Sequence, residues 1–177
     1  MPNAVTSAEI EKAIRNVPDF PKAGIQFKDI TPVLADARLF SGAIDLITEK
    51  YKPGSVDAVV GIDARGFIFA AAAAVKLHAG FVPVRKKGKL PYQTHEQDYD
   101  LEYGQATVAM HIDALKPGSR VLLVDDLLAT GGTSAAAVAL VQKLGGKIVE
   151  TVFLIELKFL DGRKKLSGFP VRSLVVY

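Results

Sequence analysis

Apolar residues along the chain fall into two kinds of run, one suited to strands and one to helices. Val121-Leu122-Leu123-Val124 is a block with no polar side for solvent, which is the pattern of a strand buried on both faces. Val56–Ile62 (VDAVVGI), Phe81–Val84 and Ile148–Leu157 (IVETVFLIEL) read the same way, and Val171–Tyr177 closes the set. Gln105–His111 alternates instead, with Ala106, Val108 and Met110 on one side, and predicts a more exposed strand. Helical spacing governs Leu39, Phe40, Ala43, Ile44, Ile47 and Tyr51, so Asp36–Tyr51 is predicted to be an amphipathic helix, stopped by Lys52-Pro53-Gly54-Ser55. Phe67–Leu77 and Ser134–Leu144 are further helices, the second ended by Gly145-Gly146. At the start, Thr6-Ser7-Ala8-Glu9 ahead of Ile10, Ala13, Ile14 and Val17 is a capping box that opens a short helix.

Two stretches break these rhythms. Pro18–Pro32 holds three prolines and a glycine among its first seven residues and last position, which excludes a helix through it. Its apolar residues Phe20, Ile25, Phe27 and Ile30 either glue a flap to the core or form a hood whose aromatic ring stacks on a flat ligand. Arg85–Tyr103 is polar, basic and without periodicity, and reads as a long irregular loop. Strand, helix and strand alternate on either side of that loop. The expected fold is therefore α/β: a doubly wound, mostly parallel sheet flanked by helices, forming one domain over residues 1–177 with an N-terminal helix and hood in 1–35.

Composition narrows the chemistry. With 177 residues and 49% apolar content the chain can bury a substantial core. It has no Cys, so disulfides and thiolate catalysis are excluded, and a reducing compartment is expected. His78, His95 and His111 lack metal-ligand spacing. The longest apolar block, Gly66–Val75, is about half a bilayer span, and the first residues carry no apolar signal core, so a cytoplasmic protein without membrane contact is expected. Net charge is +3, with basic residues gathered in Arg85-Lys86-Lys87-Gly88-Lys89. That cluster suits nucleic acid or a polyanionic small substrate equally well.

The chemistry concentrates after the Val121–Val124 strand. Asp125-Asp126 closes the apolar run, and Thr130-Gly131-Gly132-Thr133 leads into a helix. Glycines let backbone N–H groups converge on an anion, and a helix N-terminus adds partial positive charge, so this is a phosphate cradle. The paired acids would repel phosphate but suit sugar hydroxyls or a divalent cation. A phosphorylated sugar is the ligand this stretch implies. Asp63-Ala64-Arg65 follows the strand ending at Ile62, on the edge where open α/β sheets bind ligands, although Asp63 and Arg65 would equally cap a helix and pair on the surface. Neither G-x-G-x-x-G nor G-x-x-x-x-G-K-[ST] occurs, which argues against a dinucleotide fold and a P-loop.

Val121–Thr133, with its strand, paired acids and Ala-Thr-Gly-Gly-Thr, resembles the phosphoribosyl-pyrophosphate signature of the type I phosphoribosyltransferases. Asp19-Phe20-Pro21, Gly24–Pro32, Gly61–Phe67, Val84–Pro91 and Leu101-Glu102-Tyr103-Gly104 extend the likeness, in order and spacing, to the branch of that family that uses adenine. Ala23 and Lys28 stand where that branch has Pro and Arg, at a place where its contacts come largely from the backbone. The resemblance implies the reaction adenine + 5-phosphoribosyl 1-pyrophosphate → AMP + pyrophosphate, with Mg²⁺ carried by the pyrophosphate and no dedicated protein ligands, in a cytoplasmic homodimer that binds no nucleic acid. It implies that Ala129, Thr130, Gly131, Gly132 and Thr133 hold the 5′-phosphate. Asp125 and Asp126 would hold the ribose hydroxyls and favour positive charge on the ring. Asp63, Ala64 and Arg65 would form the pyrophosphate loop, with a non-proline cis peptide, and Arg85, Lys86 and Lys89 would steady the leaving group. Phe27 would stack on adenine, Gln26 and Lys28 would read its edge through the backbone, and Glu102 would bond to N7. The implied catalytic set is Glu102, Arg65, Asp125 and Asp126, with residues 85–104 as a flexible catalytic loop. Two alternatives carry less weight. A nucleic-acid-binding sensor on this fold would not need Glu102 and the full basic set, and a 6-oxo purine would leave a hood built for an amino group with unpaired polar groups.

Overall fold

The computed structural model describes residues 4–100 and 104–177. Helix α1 (Ser7–Ala13) opens on the expected capping box: Thr6 Oγ1 accepts from the Glu9 N–H at 3.3 Å, and Glu9 Oε2 accepts from the Thr6 N–H at 2.9 Å. Where a proline-rich loop was expected, β1 (Arg15–Pro18) and β2 (Gln26–Asp29) form a small antiparallel hairpin. The prolines do not prevent it, because Pro18 sits at a strand end and Pro21 lies in the turn. Val17, assigned by the pattern to the first helix, belongs to β1. Helix α2 (Thr31–Ala35) leads to α3 (Ala37–Thr48), whose cap Asp36 accepts from the N–H groups of Arg38 and Leu39 at 2.9 and 3.0 Å.

The body follows as β3 (Ala58–Ile62), α4 (Gly66–Leu77), β4 (Gly80–Lys86), β5 (Thr94–Asp100), β6 (Gln105–His111), β7 (Arg120–Leu128), α5 (Gly132–Lys143), β8 (Lys147–Glu156) and β9 (Val171–Val176), with short 3₁₀ turns at Lys158–Leu160 and Gly162–Leu166. Among the described residues seven strands form one sheet in the order β5–β6–β4–β3–β7–β8–β9. Pairing is parallel from β4 through β9 and antiparallel where β6 meets β4 and β5. Two expectations change here. The supposed irregular loop contains β5, a polar edge strand whose sequence THEQDYD has no apolar pattern, yet it is paired with β6 from Thr94 to Asp100. The β7 strand also runs past its apolar block, through the acids to Leu128, because β8 continues to pair with it as far as Glu156.

Burial on both faces explains the unbroken apolar strands. Leu122 and Val124 point to one side with Ile10, Ile44, Ile47 and Phe69 from α1, α3 and α4. Val121 and Leu123 point to the other with Ala137, Leu140 and Val141 from α5. Truncating a fully buried Leu in either layer costs about 2–5 kcal/mol. The two βαβ crossovers thus leave the sheet on opposite faces, α4 joining β3 to β4 and α5 joining β7 to β8, while β3 and β7 lie side by side (Val60 opposite Leu123). Their C-terminal loops separate at this switch point and open a crevice between them.

Candidate active site

The crevice is a cleft of about 460 Å³, walled by Ile62–Arg65 on the β3 side and by Asp125–Leu127 and Ala129–Ser134 on the β7 side. Gly131 has φ +76°, a left-handed conformation that glycine adopts without strain, and it starts α5 with no side-chain cap. The first N–H groups of the helix therefore have no internal side-chain partner, and the residues that carry them line the cleft. A loop backbone of this kind can receive an anion.

Asp125 and Asp126, each 8% exposed, lie at the floor. Arg65 Nε sits 2.6 Å from Asp126 Oδ2, spanning the cleft from the other strand. The Asp125 Oδ1 accepts from the Asp126 N–H at 2.9 Å. A Cβ on Gly66 would collide with that same Oδ1, so glycine at the first turn of α4 is what admits the carboxylate. Burial, and next the charge of Asp126, push the Asp125 carboxyl well above the usual carboxylate range. Burial also raises Asp126, but the adjacent guanidinium of Arg65 opposes the rise. Asp125 therefore holds a proton more readily than Asp126, whose charged form Arg65 favours. The Asp63–Ala64 peptide is cis, and Asp63 Oδ2 accepts from Arg85 Nε at 3.0 Å. Arg85 also donates to the Lys89 carbonyl at 3.0 Å, which ties the start of the basic segment to the β3 loop.

The hairpin adjoins the cleft through the contact of Phe27 with Arg65. The Phe27 ring meets Phe20 edge-on at 5.1 Å, and Val17, Phe20, Phe27 and Asp29 line a small, mostly apolar pocket. Arg65 links this pocket to the floor: its guanidinium carbon lies 5.2 Å from the Phe27 ring centre. The Lys28 ammonium turns away, donating to Asn16 Oδ1 at 2.6 Å and lying 3.4 Å from the centre of the Tyr177 ring. Lys28 is not among the residues that line the pocket. Gln26 is exposed beside it.

The chain matches the family model described as phosphoribosyl transferase domain over residues 30–170. It is 54% identical over 175 residues, 99% of each chain, to an adenine phosphoribosyltransferase of Acidothermus cellulolyticus. The crystal structure of adenine phosphoribosyltransferase from Rhodothermus marinus superposes with a TM-score of 0.93 at 52% identity, covering 99% of this chain and 100% of that one. This chain belongs to the adenine phosphoribosyltransferase family. The Saccharomyces cerevisiae adenine phosphoribosyltransferase, solved with D-2,5-dideoxy-2,5-imino-altritol 1,6-bisphosphate and adenine, is 40% identical with a TM-score of 0.90, covering 95% of this chain and 97% of that one.

In the adenine phosphoribosyltransferase fold of this chain, Asp63, Ala64, Arg65, Asp125, Asp126 and Ala129–Thr133 share one cleft, with Phe27 joined to it through Arg65. Arg85 adjoins through Asp63, whereas Lys86, at the end of β4, and Lys89 beyond it are exposed and do not line the cleft. Glu102 lies outside the described residues. Sequence reasoning missed Gly162, whose backbone packs directly on the cradle: a Cβ there would strike the Ala129 carbonyl, and a Cβ on Gly131 would strike the Gly162 carbonyl. The Asp161-Gly162 dipeptide is a turn signal that could have marked it. Tyr99 and the Asp100 carbonyl likewise crowd Gly132 from β5. A cleft with N–H groups along one loop, a pair of acids and a guanidinium opposite can hold a sugar phosphate and stabilise charge of either sign on it.

Proposed function

We propose that this chain transfers the phosphoribosyl group of 5-phosphoribosyl 1-pyrophosphate to adenine, forming AMP and pyrophosphate, in purine salvage. The observation that carries this reading is the Arg65 bridge, which joins the acid pair beside the anion cradle to the aromatic pocket of the hood. A sugar held between its phosphate and its hydroxyls on the first, and a base on the second, would meet at Arg65.

The backbone of Ala129–Thr133 holds the 5′-phosphate and so fixes the ribose over Asp125 and Asp126. Asp125 and Asp126 hold the two ribose hydroxyls, with Asp126 accepting from one of them. The pyrophosphate draws Arg65 off Asp126, and with Arg85 it balances the departing charge. As the bond from the anomeric carbon to pyrophosphate breaks, its electron pair leaves with the pyrophosphate. The ring carbon becomes oxocarbenium-like, as in glycoside hydrolysis, and the Asp126 carboxylate below stabilises it. Adenine N9, its ring stacked on Phe27 and its edge read by the backbone of Gln26 and Lys28, supplies the new pair. The ring proton passes to Glu102 at N7, a role carried over from the resemblance, typically a ~10²–10⁴-fold contribution. Lys86 and Lys89 close on the pyrophosphate from the basic segment, which also excludes water.

Mg²⁺ fits this donor set on the substrate side. One of the paired acids is already committed to Arg65, and among the described residues no three His, Cys, Asp or Glu side chains cluster as ligands. An ion that keeps its waters and prefers phosphate oxygens needs no protein cage, and when bound it neutralises the pyrophosphate. The exposed apolar side chains Ile68, Val75 and Phe81 favour a homodimer, and a chain without Cys suits the cytoplasm. The test is pyrophosphate release from the activated sugar and Mg²⁺ with adenine, guanine, hypoxanthine or xanthine. Turnover with adenine alone is expected. No turnover with any base overturns the enzyme reading, and preference for guanine overturns the substrate.

A further inference from the structure

Outside the cleft, one ion pair, with a buried acid and a half-exposed guanidinium, adjoins the loop that walls it. Glu156, 4% exposed at the end of β8, accepts two bonds from Arg163, Nε to Oε1 and Nη2 to Oε2, both 2.7 Å. Ser173 Oγ donates to Oε2 at 2.7 Å, and Arg163 Nη1 donates to the Val171 carbonyl at 2.9 Å. Arg163 is thus fixed to β8 and β9 at three points. A bidentate fork of this kind sets orientation as well as energy. The residue before it is Gly162, whose backbone lies against Ala129 and Gly131 so closely that neither glycine tolerates a Cβ. Leu166, 1% exposed beneath α5, anchors the far end of the same 3₁₀ turn. The turn is anchored at Arg163 and Leu166, and its first residue, Gly162, is pressed against the cradle.

We infer that Arg163 is a positioning residue for the anion cradle: clamped by Glu156, it seats Gly162 against the Ala129–Gly131 backbone and so holds the phosphate-binding N–H groups in place. The inference rests on the 5′-phosphate reading of residues 129–133. Neither Arg163 nor Gly162 lines the cleft, so their effect on ligand travels only through the loop.

The test uses the full chain carrying Arg163→Ala, Arg163→Lys or Gly162→Ala, with steady-state kinetics and calorimetric binding of ribose 5-phosphate. KM for the activated sugar and Kd for ribose 5-phosphate should rise about tenfold or more in Arg163→Ala and Gly162→Ala, since a loop misplaced by a fraction of an ångström loses its aim. Arg163→Lys, which keeps the charge but not the fork, should fall between, and KM for adenine should stay within about twofold throughout. A merely structural role would lower melting temperature and the active fraction while leaving both sugar constants alone, and that result overturns the inference. Should Arg163→Ala fail to fold, the lysine and alanine variants at 163 and 162 respectively decide it by the same constants. If the wild-type chain itself does not bind ribose 5-phosphate, the phosphate assignment of the cradle has failed, not the clamp alone.

Discussion

Arg65 and Asp126 come from different strand ends and meet across the cleft at 2.6 Å, with the Asp126 side chain only 11% exposed. The pair does two things at once. It neutralises one of two adjacent buried carboxyl groups, which allows both to occupy the floor. It also occupies the two groups that a sugar pyrophosphate would separate, the carboxylate going to the ribose and the guanidinium to the leaving group.

Asp126→Asn should therefore lower kcat by about 10²-fold or more while KM for adenine moves little, because the lost charge acts on the transition state. Steady-state kinetics with both substrates varied checks this. A rise in KM alone would place Asp126 in ground-state binding.

Asp125 makes the opposite prediction for stability. Its carboxyl is raised by burial and by Asp126, so the folded chain holds a proton that the unfolded chain releases near pH 4. Stability is then undiminished below the unfolded value and falls as pH rises through the folded one. Asp125→Asn removes that loss and keeps an oxygen for the Asp126 N–H. Thermal melts should show the variant more stable than wild type at neutral and alkaline pH, with the two curves converging near pH 3, while turnover drops.

Phe27→Ala tests the hood. Base–aromatic stacking is worth about 1–3 kcal/mol, so KM for adenine should rise about 5–150-fold with KM for the sugar nearly unchanged. Equal rises in both would mean that Phe27 acts through Arg65, over which it lies at 5.2 Å.

Asp57 provides a control remote from the cleft. It accepts from the Arg120 backbone N–H at 2.7 Å and from its guanidinium, and those bonds depress its carboxyl to about 2. This contribution is present above the unfolded value near pH 4 and is lost as pH falls toward 2. Asp57→Asn should make acid unfolding less steep between those limits and leave neutral-pH kinetics unaltered, which circular dichroism and the same assay check.

The sheet and its switch point were legible because β3, β7 and β8 are apolar on both faces, and α1 because its capping box is local chemistry. The β5 strand was not, since its residues THEQDYD alternate without an apolar side and the strand exists through pairing with β6 at the sheet edge. The hairpin in the hood was hidden by its prolines, which fall at an end and in the turn. In the site, the acids and glycines of 125–133 announce themselves by adjacency, as does Asp63-Ala64-Arg65. The placing of Gly162 against Gly131 comes from a return of the chain after β8, which no local pattern encodes. The same holds for the Arg65–Asp126 pair, whose partners meet only because β3 and β7 are neighbours.

A crystal structure with AMP bound tests the assignment of the cleft most directly. The 5′-phosphate should lie on the N–H groups of Thr130–Thr133, the ribose hydroxyls on Asp125 and Asp126, and the adenine ring against Phe27, with Arg65 moved off Asp126 toward the space left by pyrophosphate. AMP with its phosphate elsewhere, or its base outside the Phe20–Phe27 pocket while Arg65 still holds Asp126, would contradict it.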